Sequence, residues 1–304
     1  WEIDSTSPEV QTGGTRGFII GGYGNSPVSA YGDISYFNVD TTGGVADFGD
    51  TGAAGGRQTA GSSRTRAVTF YANSPAKETI EYFTMATLGD AIDFGNLNST
   101  DDSFGGCSDS TRAVVGGGYP NPGSGPYART NALQYVTMAS TGNSVDFGDF
   151  ATAIADLDGC SSPTRGVFMG GNIGPSAGNR TNNIQYITIA TTGNGSDFGD
   201  LTVERSHTDA GSNAVRAICV GGINTNPSTT TVNTMDHVTI ASLGNAVDFG
   251  DMVVSVYGRA VSTSRTRLVA ACGSNGSADF EEMDFVQIMT TGNAVDFGDM
   301  VAAM

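Results

Sequence analysis

Basic residues are scarce in this chain. Its 304 residues hold 14 Lys+Arg against 31 Asp+Glu, a formal net charge of −17, with Lys77 as the single lysine. Phosphate contacts need clustered Lys and Arg, so nucleic acid and anionic membrane surfaces are excluded as partners. Long apolar runs are missing too: the longest, such as residues 17–20, are cut by glycine within a few positions, and no membrane insertion is expected. The two histidines and one tryptophan leave little material for a histidine-ligated metal centre, and the four cysteines show no Cys-x-x-Cys zinc spacing. No cofactor and no metal are expected. What is abundant is glycine, at 44 residues, beside a 38 % hydrophobic share that is ample for a folded core. Position 1 is Trp and no signal-type apolar region follows, so the chain is expected to be processed or to belong to something longer.

A repeat sets the architecture. Asp-Phe-Gly-Asp recurs at Asp47, Asp146, Asp197, Asp248 and Asp296, with a variant starting at Asp93. The phenylalanines Phe48, Phe94, Phe147, Phe198, Phe249 and Phe297 are 46, 53, 51, 51 and 48 residues apart. A second marker keeps pace, because Arg16, Arg66, Arg112, Arg165, Arg216 and Arg267 each open a short apolar run. Within a copy, a small-residue stretch, that apolar run, a β-branched and aromatic segment and the Asp-Phe-Gly-Asp segment read as four short strands, the last two joined by a tight Gly-Asn type turn. Four antiparallel strands per roughly 50 residues, repeated radially, make an all-β, six-bladed β-propeller. It forms one domain over 1–304, with blades at about 9–50, 51–97, 98–150, 151–201, 202–252 and 253–300. Ring closure is expected by blade packing, with the first copy supplying its own opening segment at residues 9–14; pairing of residues 1–4 with the last blade would overturn that.

The residue order within each copy resembles the kelch repeat. Glycine pairs stand at Gly21-Gly22, Gly117-Gly118, Gly170-Gly171 and Gly221-Gly222, and the third-strand aromatic is Tyr36, Tyr82, Tyr135, Tyr186, His237 or Phe285. Phe of the tetrapeptide stands where kelch proteins usually carry Trp. The local text, as in Tyr186 through Asp-Phe-Gly-Asp to Leu201, is similar to repeats in structural proteins of tailed phages, especially those of marine cyanobacteria. That resemblance covers nearly all of residues 11–300. It implies a virion protein of the tail, a fibre or the capsid surface, and it carries over no catalytic residue.

Repetition also shapes the chemical reading. Eleven of the 24 Asp belong to the tetrapeptide series. Calcium wants six to eight oxygens and no third acid stands at a fixed offset, so these Asp are expected to bind turn amides and to pair with the recurring Arg, stapling blade to blade. A bound cation, or an Arg-lined channel, is the alternative. Each tetrapeptide Phe should fill the wedge between neighbouring blades. Cys107 and Cys160 fall at equivalent positions of adjacent copies, yet four buried free thiols are expected in preference to a disulfide, consistent with assembly in a reducing cytoplasm. His237 is expected to be a stacked ring, and Glu78, Glu81, Glu204, Glu281 and Glu282 to be solvated. Catalytic sites are singular whereas nearly every polar motif here is sixfold, so the protein is expected not to be an enzyme.

Variation between copies is concentrated in the longer loops, residues 23–32, 73–79, 119–131, 172–183, 224–233 and 274–282, which propeller topology puts at one end of the disc. Tyr23, Tyr31, Tyr119, Asn121, Tyr127, Arg129 and Arg180 lie there as candidate binding residues, since Tyr and Arg gain contact area at modest entropic cost. The expectation is a non-enzymatic virion module, present in several copies. It would be assembled in the host cytoplasm, be extracellular when mature, and bind other virion proteins or a host-surface glycan or protein. A propeller-scaffold carbohydrate-active enzyme and a secreted kelch-like adhesin are the alternatives.

Overall fold

The computed structural model describes residues 15–25, 28–52, 54–56, 58–71, 78–99, 101–120, 128–174, 178–224 and 230–301. They form a six-bladed β-propeller. Blade 1 contributes the strands Arg16–Asn25, Val28–Asn38 and Ala46–Asp50, and blade 2 Thr59–Ser62, Arg66–Phe70, Thr79–Thr84 and Ile92–Asn96. Blade 3 is built of Gly105–Ser108, Arg112–Gly116, Ala132–Thr137 and Val145–Asp149, and blade 4 of Asp158–Ser161, Arg165–Met169, Asn183–Thr188 and Ser196–Asp200. Blades 5 and 6 repeat the pattern with Asp209–Ser212, Arg216–Val220, Thr234–Thr239 and Val247–Asp251, then Ala260–Thr263, Arg267–Ala271, Glu282–Gln287 and Val295–Asp299. Blades 2 to 6 are antiparallel sheets in sequential order. The expected opening strand of blade 1, residues 9–14, lies outside the described residues, as do residues 1–4. One expectation fails at blade 1: residues 23–32 are not a long loop, because Tyr23 and Gly24 pair with Ala30 and Ser29 in an extended hairpin.

Each tetrapeptide is a β-bulge. In blade 4, Gln185 faces Asp197 and Ile184 faces Gly199, which leaves Phe198 as the extra residue; the other five blades shift register at the same place. A bulge re-aims a side chain and frees its backbone groups from the ladder. Both effects are used. The Phe turns inward and is buried among residues of the next blade, Phe147 beside Ile187 and Ile189 for example, as the sequence led one to expect. Its carbonyl accepts a hydrogen bond from the hairpin glycine of that next blade: Gly89 to Phe48, Gly142 to Phe94, Gly193 to Phe147, Gly244 to Phe198, Gly292 to Phe249 and, closing the ring, Gly43 to Phe297. Because the bulge takes up one residue, the two flanking acidic positions fall two ladder steps apart, where they are exposed or half-buried on the outer strand.

The marker Arg does join blades, but not through Asp. Its guanidinium lies over the third-strand ring of its own blade, 4.1 Å from the centroid for Arg66 over Tyr82, and that ring meets the tetrapeptide Phe edge-on, 5.8 Å for Tyr82 and Phe94. Nη1 then donates to the carbonyl that ends the third strand of the next blade, from Arg66 to Met138 (2.8 Å), Arg112 to Ile189 (3.1 Å) and Arg165 to Ile240 (2.7 Å). The carboxylates stand on the outer rim, beyond its reach. His237 takes the ring position in blade 5, edge-on to Phe249 at 5.6 Å, and burial, then Arg216, hold its pKa down.

A second latch was hidden from the sequence reading. The third strand carries a buried polar residue, Glu81, Gln134, Gln185, Asp236 or Asp284, which fixes the linker arriving from the preceding blade. Gly52 N–H donates to Glu81, Asn98 to Gln134, Ala151 to Gln185 and Thr202 to Asp236. Glu81 is therefore not solvated. It also accepts the Tyr71 hydroxyl at 2.7 Å, and the cost of burying it is offset by these donors.

Candidate functional site

The inner strands converge on an axial channel, and their small residues follow from crowding. A Cβ on Gly61 would come within 2.8 Å of the Ala113 Cβ. Serines at the ends of these strands tie neighbour to neighbour: the Ser108 hydroxyl bonds both N–H and C=O of Ser62, Ser161 does the same to Ser108, and Ser212 to Ser161. The channel holds two adjoining chambers, of ≈ 500 Å³ at the end with the short turns and ≈ 270 Å³ at the long-loop end. Phe18 and Ile20 line both.

The long-loop mouth is backbone-strained in a regular way. The second residue ahead of the inner strand has positive φ in blades 3 to 6, at Ser103 (59°), Asp156 (56°), His207 (53°) and Gly258 (66°). Non-glycine residues rarely adopt this conformation, and it persists only where surroundings enforce it. Here Asp156 N–H donates to Ser103 C=O at 2.9 Å and His207 N–H to Asp156 C=O at 2.7 Å, a hydrogen-bonded arc around the opening.

Side chains over this arc form a web linking blades 3 to 6. Tyr119 donates its hydroxyl to Asp156 Oδ2 at 2.5 Å, and Arg129 lies over the Tyr119 ring at 5.2 Å. His207 Nε2 is 3.5 Å from Asp156 Oδ1, its Nδ1 is 3.1 Å from Ser206 Oγ, and Arg180 Nε donates to the same Oγ at 2.9 Å. Tyr257 meets the His207 ring edge-on at 5.6 Å. Burial and the Asp156 carboxylate push the Tyr119 phenol up, so it stays a donor. Ser206, His207 and Asp156 are the residue types of a nucleophilic triad. Ser206 is fully buried, however, and its oxygen already meets Arg180, so the serine presents no hydroxyl to a substrate.

Of the candidate residues from sequence, Tyr119, Arg129 and Arg180 come together here. Tyr31 does not; it sits half-buried in the second described strand of blade 1, its carbonyl accepting Gly55 N–H. The Tyr23 side chain, Asn121 and Tyr127 lie outside the described residues. Asp156, Ser206, His207 and Tyr257 were missed. Aligning the copies on the inner strand would have flagged Asp156 and His207, because Ser103, Asp156, His207 and Gly258 differ at one fixed position of a repeated frame, and Ser206 and Tyr257 stand one residue before it.

Below the arc, Asp158 and Asp209 open their inner strands and line the upper chamber. Each holds the next blade, Asp158 accepting Ala210 N–H at 2.9 Å and Asp209 accepting Arg259 N–H at 2.8 Å. Burial pushes the Asp158 carboxyl up to about 7, against the backbone N–H groups that favour its charge, and burial together with Asp158 also raises Asp209. A folded-state pKa above the unfolded ∼3.9 means that Asp158 binds its proton more tightly when folded. Its contribution to stability is full at acid pH and is lost as pH climbs from about 4 to about 7. Asp158→Asn is accordingly expected to stabilise the fold at pH 8 by roughly 2–4 kcal/mol, seen as a higher melting temperature, and to converge on the parent at pH 4. A constant offset in thermal melts across that range would refute the assignment.

The four cysteines are free and buried, as expected, and burial raises the Cys107 and Cys160 thiols and lifts Cys219 to about 11, keeping them protonated for as long as they stay buried.

Fold and site together define a class: a closed six-bladed propeller whose repeated polar groups latch its blades and whose singular ones gather over one channel mouth. No family model and no curated protein matches the chain.

Proposed function

We propose that the protein is a non-enzymatic interaction module of a virion, binding a partner protein or host-surface glycan with its long-loop face. One observation carries this reading: Tyr119, Arg129, Asp156, Arg180, His207 and Tyr257, drawn from different blades, converge over the channel mouth. The recurring Arg, Phe and Gly, by contrast, are occupied between blades. Rigid Tyr and His rings beside hydrogen-bonding groups suit recognition. The resemblance of the repeats to tailed-phage structural proteins points to a virion, and the net charge of −17 would keep many displayed copies apart.

Mass spectrometry of purified particles should find the chain at stoichiometric levels, and its absence from intact particles would remove the virion from the proposal. For the face itself, Tyr257→Ala is expected to weaken binding to those particles or to host cells at least about tenfold. Leu243→Ala, on the opposite hairpin end, should leave binding unchanged. Equal effects from the two substitutions would dismiss the long-loop face.

A further inference from the structure

The six blade junctions are built alike, which makes their differences informative. Five of them carry the same three polar latches in addition to the glycine-to-Phe bond. A hairpin Asp or Asn side chain, Asp90, Asn143, Asn194, Asn245 or Asn293, accepts the N–H of the last tetrapeptide residue of the preceding blade at 3.0 to 3.1 Å. Two residues beyond the hairpin glycine, the N–H of Ala91, Ser144, Gly195, Ala246 or Ala294 donates back to that same residue's carbonyl. The marker Arg of the preceding blade donates to the carbonyl ending the third strand.

The junction of blade 6 with blade 1 departs from all three. Gly44 stands where the others have Asp or Asn, so the hairpin offers no side chain to Asp299 N–H. Among the described residues no bond joins Val45 N–H to Asp299, and Arg267 Nη1 is buried without a hydrogen-bond partner. The remaining bond, Gly43 to Phe297, is 3.1 Å against 2.8 to 2.9 Å elsewhere. Chain order adds a fourth difference, since blades 1 and 6 are the two that no linker joins. What holds this junction is mainly apolar: Ile19, Phe37 and Val39 against Val269, Cys272 and Phe297, with Ser262 bonded to the Phe18 backbone and Ser264 to Asp40.

We propose that the ring opens at this junction, giving the axial channel a lateral entrance in addition to its two ends. Among the described residues, parting blades 6 and 1 breaks none of these three latches, whereas parting any other pair breaks all three and strains the linker between them. Phe18 and Ile20, which line the channel on the blade 1 side, would form one lip of the opening.

The native protein carries its own probe. Cys272 belongs to the apolar cluster at this junction, while Cys107 and Cys160 lie at the junctions between blades 3 and 4 and between blades 4 and 5. Under native conditions a small thiol reagent should label Cys272 at least about fivefold faster than the others, the factor expected from one missing hydrogen bond. Amide exchange at Gly43, whose N–H is bonded in the closed ring like its five counterparts, should exceed that at Gly89, Gly142, Gly193, Gly244 and Gly292 by a similar factor. Gly44→Asn should restore the latch. Gly44 has ordinary backbone φ, and its nearest neighbour for an added Cβ is Asp299 O at 3.4 Å, so the substitution is compatible with the fold. It is expected to slow Cys272 labelling and local exchange while leaving Cys107 and Cys160 unchanged. Uniform exchange across the six junctions, or Cys272 labelling no faster than its counterparts, would overturn the proposal, and neither measurement needs a variant.

Discussion

Gly148→Ala is expected to cost roughly 2–5 kcal/mol of stability, the sum of left-handed backbone strain and overpacking. Gly148 has φ 144°, and a Cβ there would lie 2.5 Å from Gly193 O. That oxygen belongs to the hairpin whose glycine N–H caps Phe147, so a methyl group must push two blades apart at the point where they are latched. The control separates close approach from backbone preference. Gly89 has φ 148° but nothing within 4 Å of an added Cβ, and Gly89→Ala should cost only about 1 kcal/mol. Denaturant unfolding of the two variants gives the comparison. Similar losses would mean that the backbone angle alone explains the invariant glycine.

Arg205→Met should be as damaging, at about 3–5 kcal/mol. Arg205 is fully buried, with Nη2 2.9 Å from Asp236 Oδ2 and Nη1 3.1 Å from Thr234 C=O. Removing the guanidinium leaves a carboxylate in the interior of blade 5 with only Thr202 to satisfy it, and an uncompensated buried charge costs more than the ion pair contributed. The same account forecasts a rescue. Asp236→Asn in the Arg205→Met background should recover a large part of the loss, because the neutral amide still accepts Thr202 N–H. A double variant no better than the single one would show that packing, and not charge, is what Arg205 supplies.

The fold was legible because its signals are local and sixfold. Periodic Arg and Phe gave blade number, strand order and the wedge role of Phe48 through Phe297, since each marker sits at a fixed place on a strand. Partners were less legible than positions. The marker Arg goes to a backbone carbonyl in the next blade, and a carbonyl leaves no trace in sequence, whereas the conspicuous Asp invited a pairing that the bulged outer strand does not make, since it leaves those carboxylates exposed or half-buried at the rim. Glu81 read as solvated for a related reason: its donors are the backbone N–H of Gly52, 29 residues earlier, and the hydroxyl of Tyr71, just past the end of the neighbouring strand. The candidate site was half legible. Tyr119, Arg129 and Arg180 stand out as bulky residues in variable loops, but Asp156 and His207 sit in short linkers, and only the packing of blades 3, 4 and 5 around the axis brings them beside Tyr119.

The bulged, doubly acidic fourth strand has a consequence for crowding. A disc with six outermost strands would ordinarily be adhesive, since a bare strand margin templates pairing with any other. Here each margin is kinked once by its Phe, and five of the six bear carboxylates on both sides of the kink, blade 2 having Asn96 on one side, two devices that obstruct growth of a sheet from one molecule into the next. Many such discs can therefore be held shoulder to shoulder at high local density and stay separate particles, without fusing into fibres.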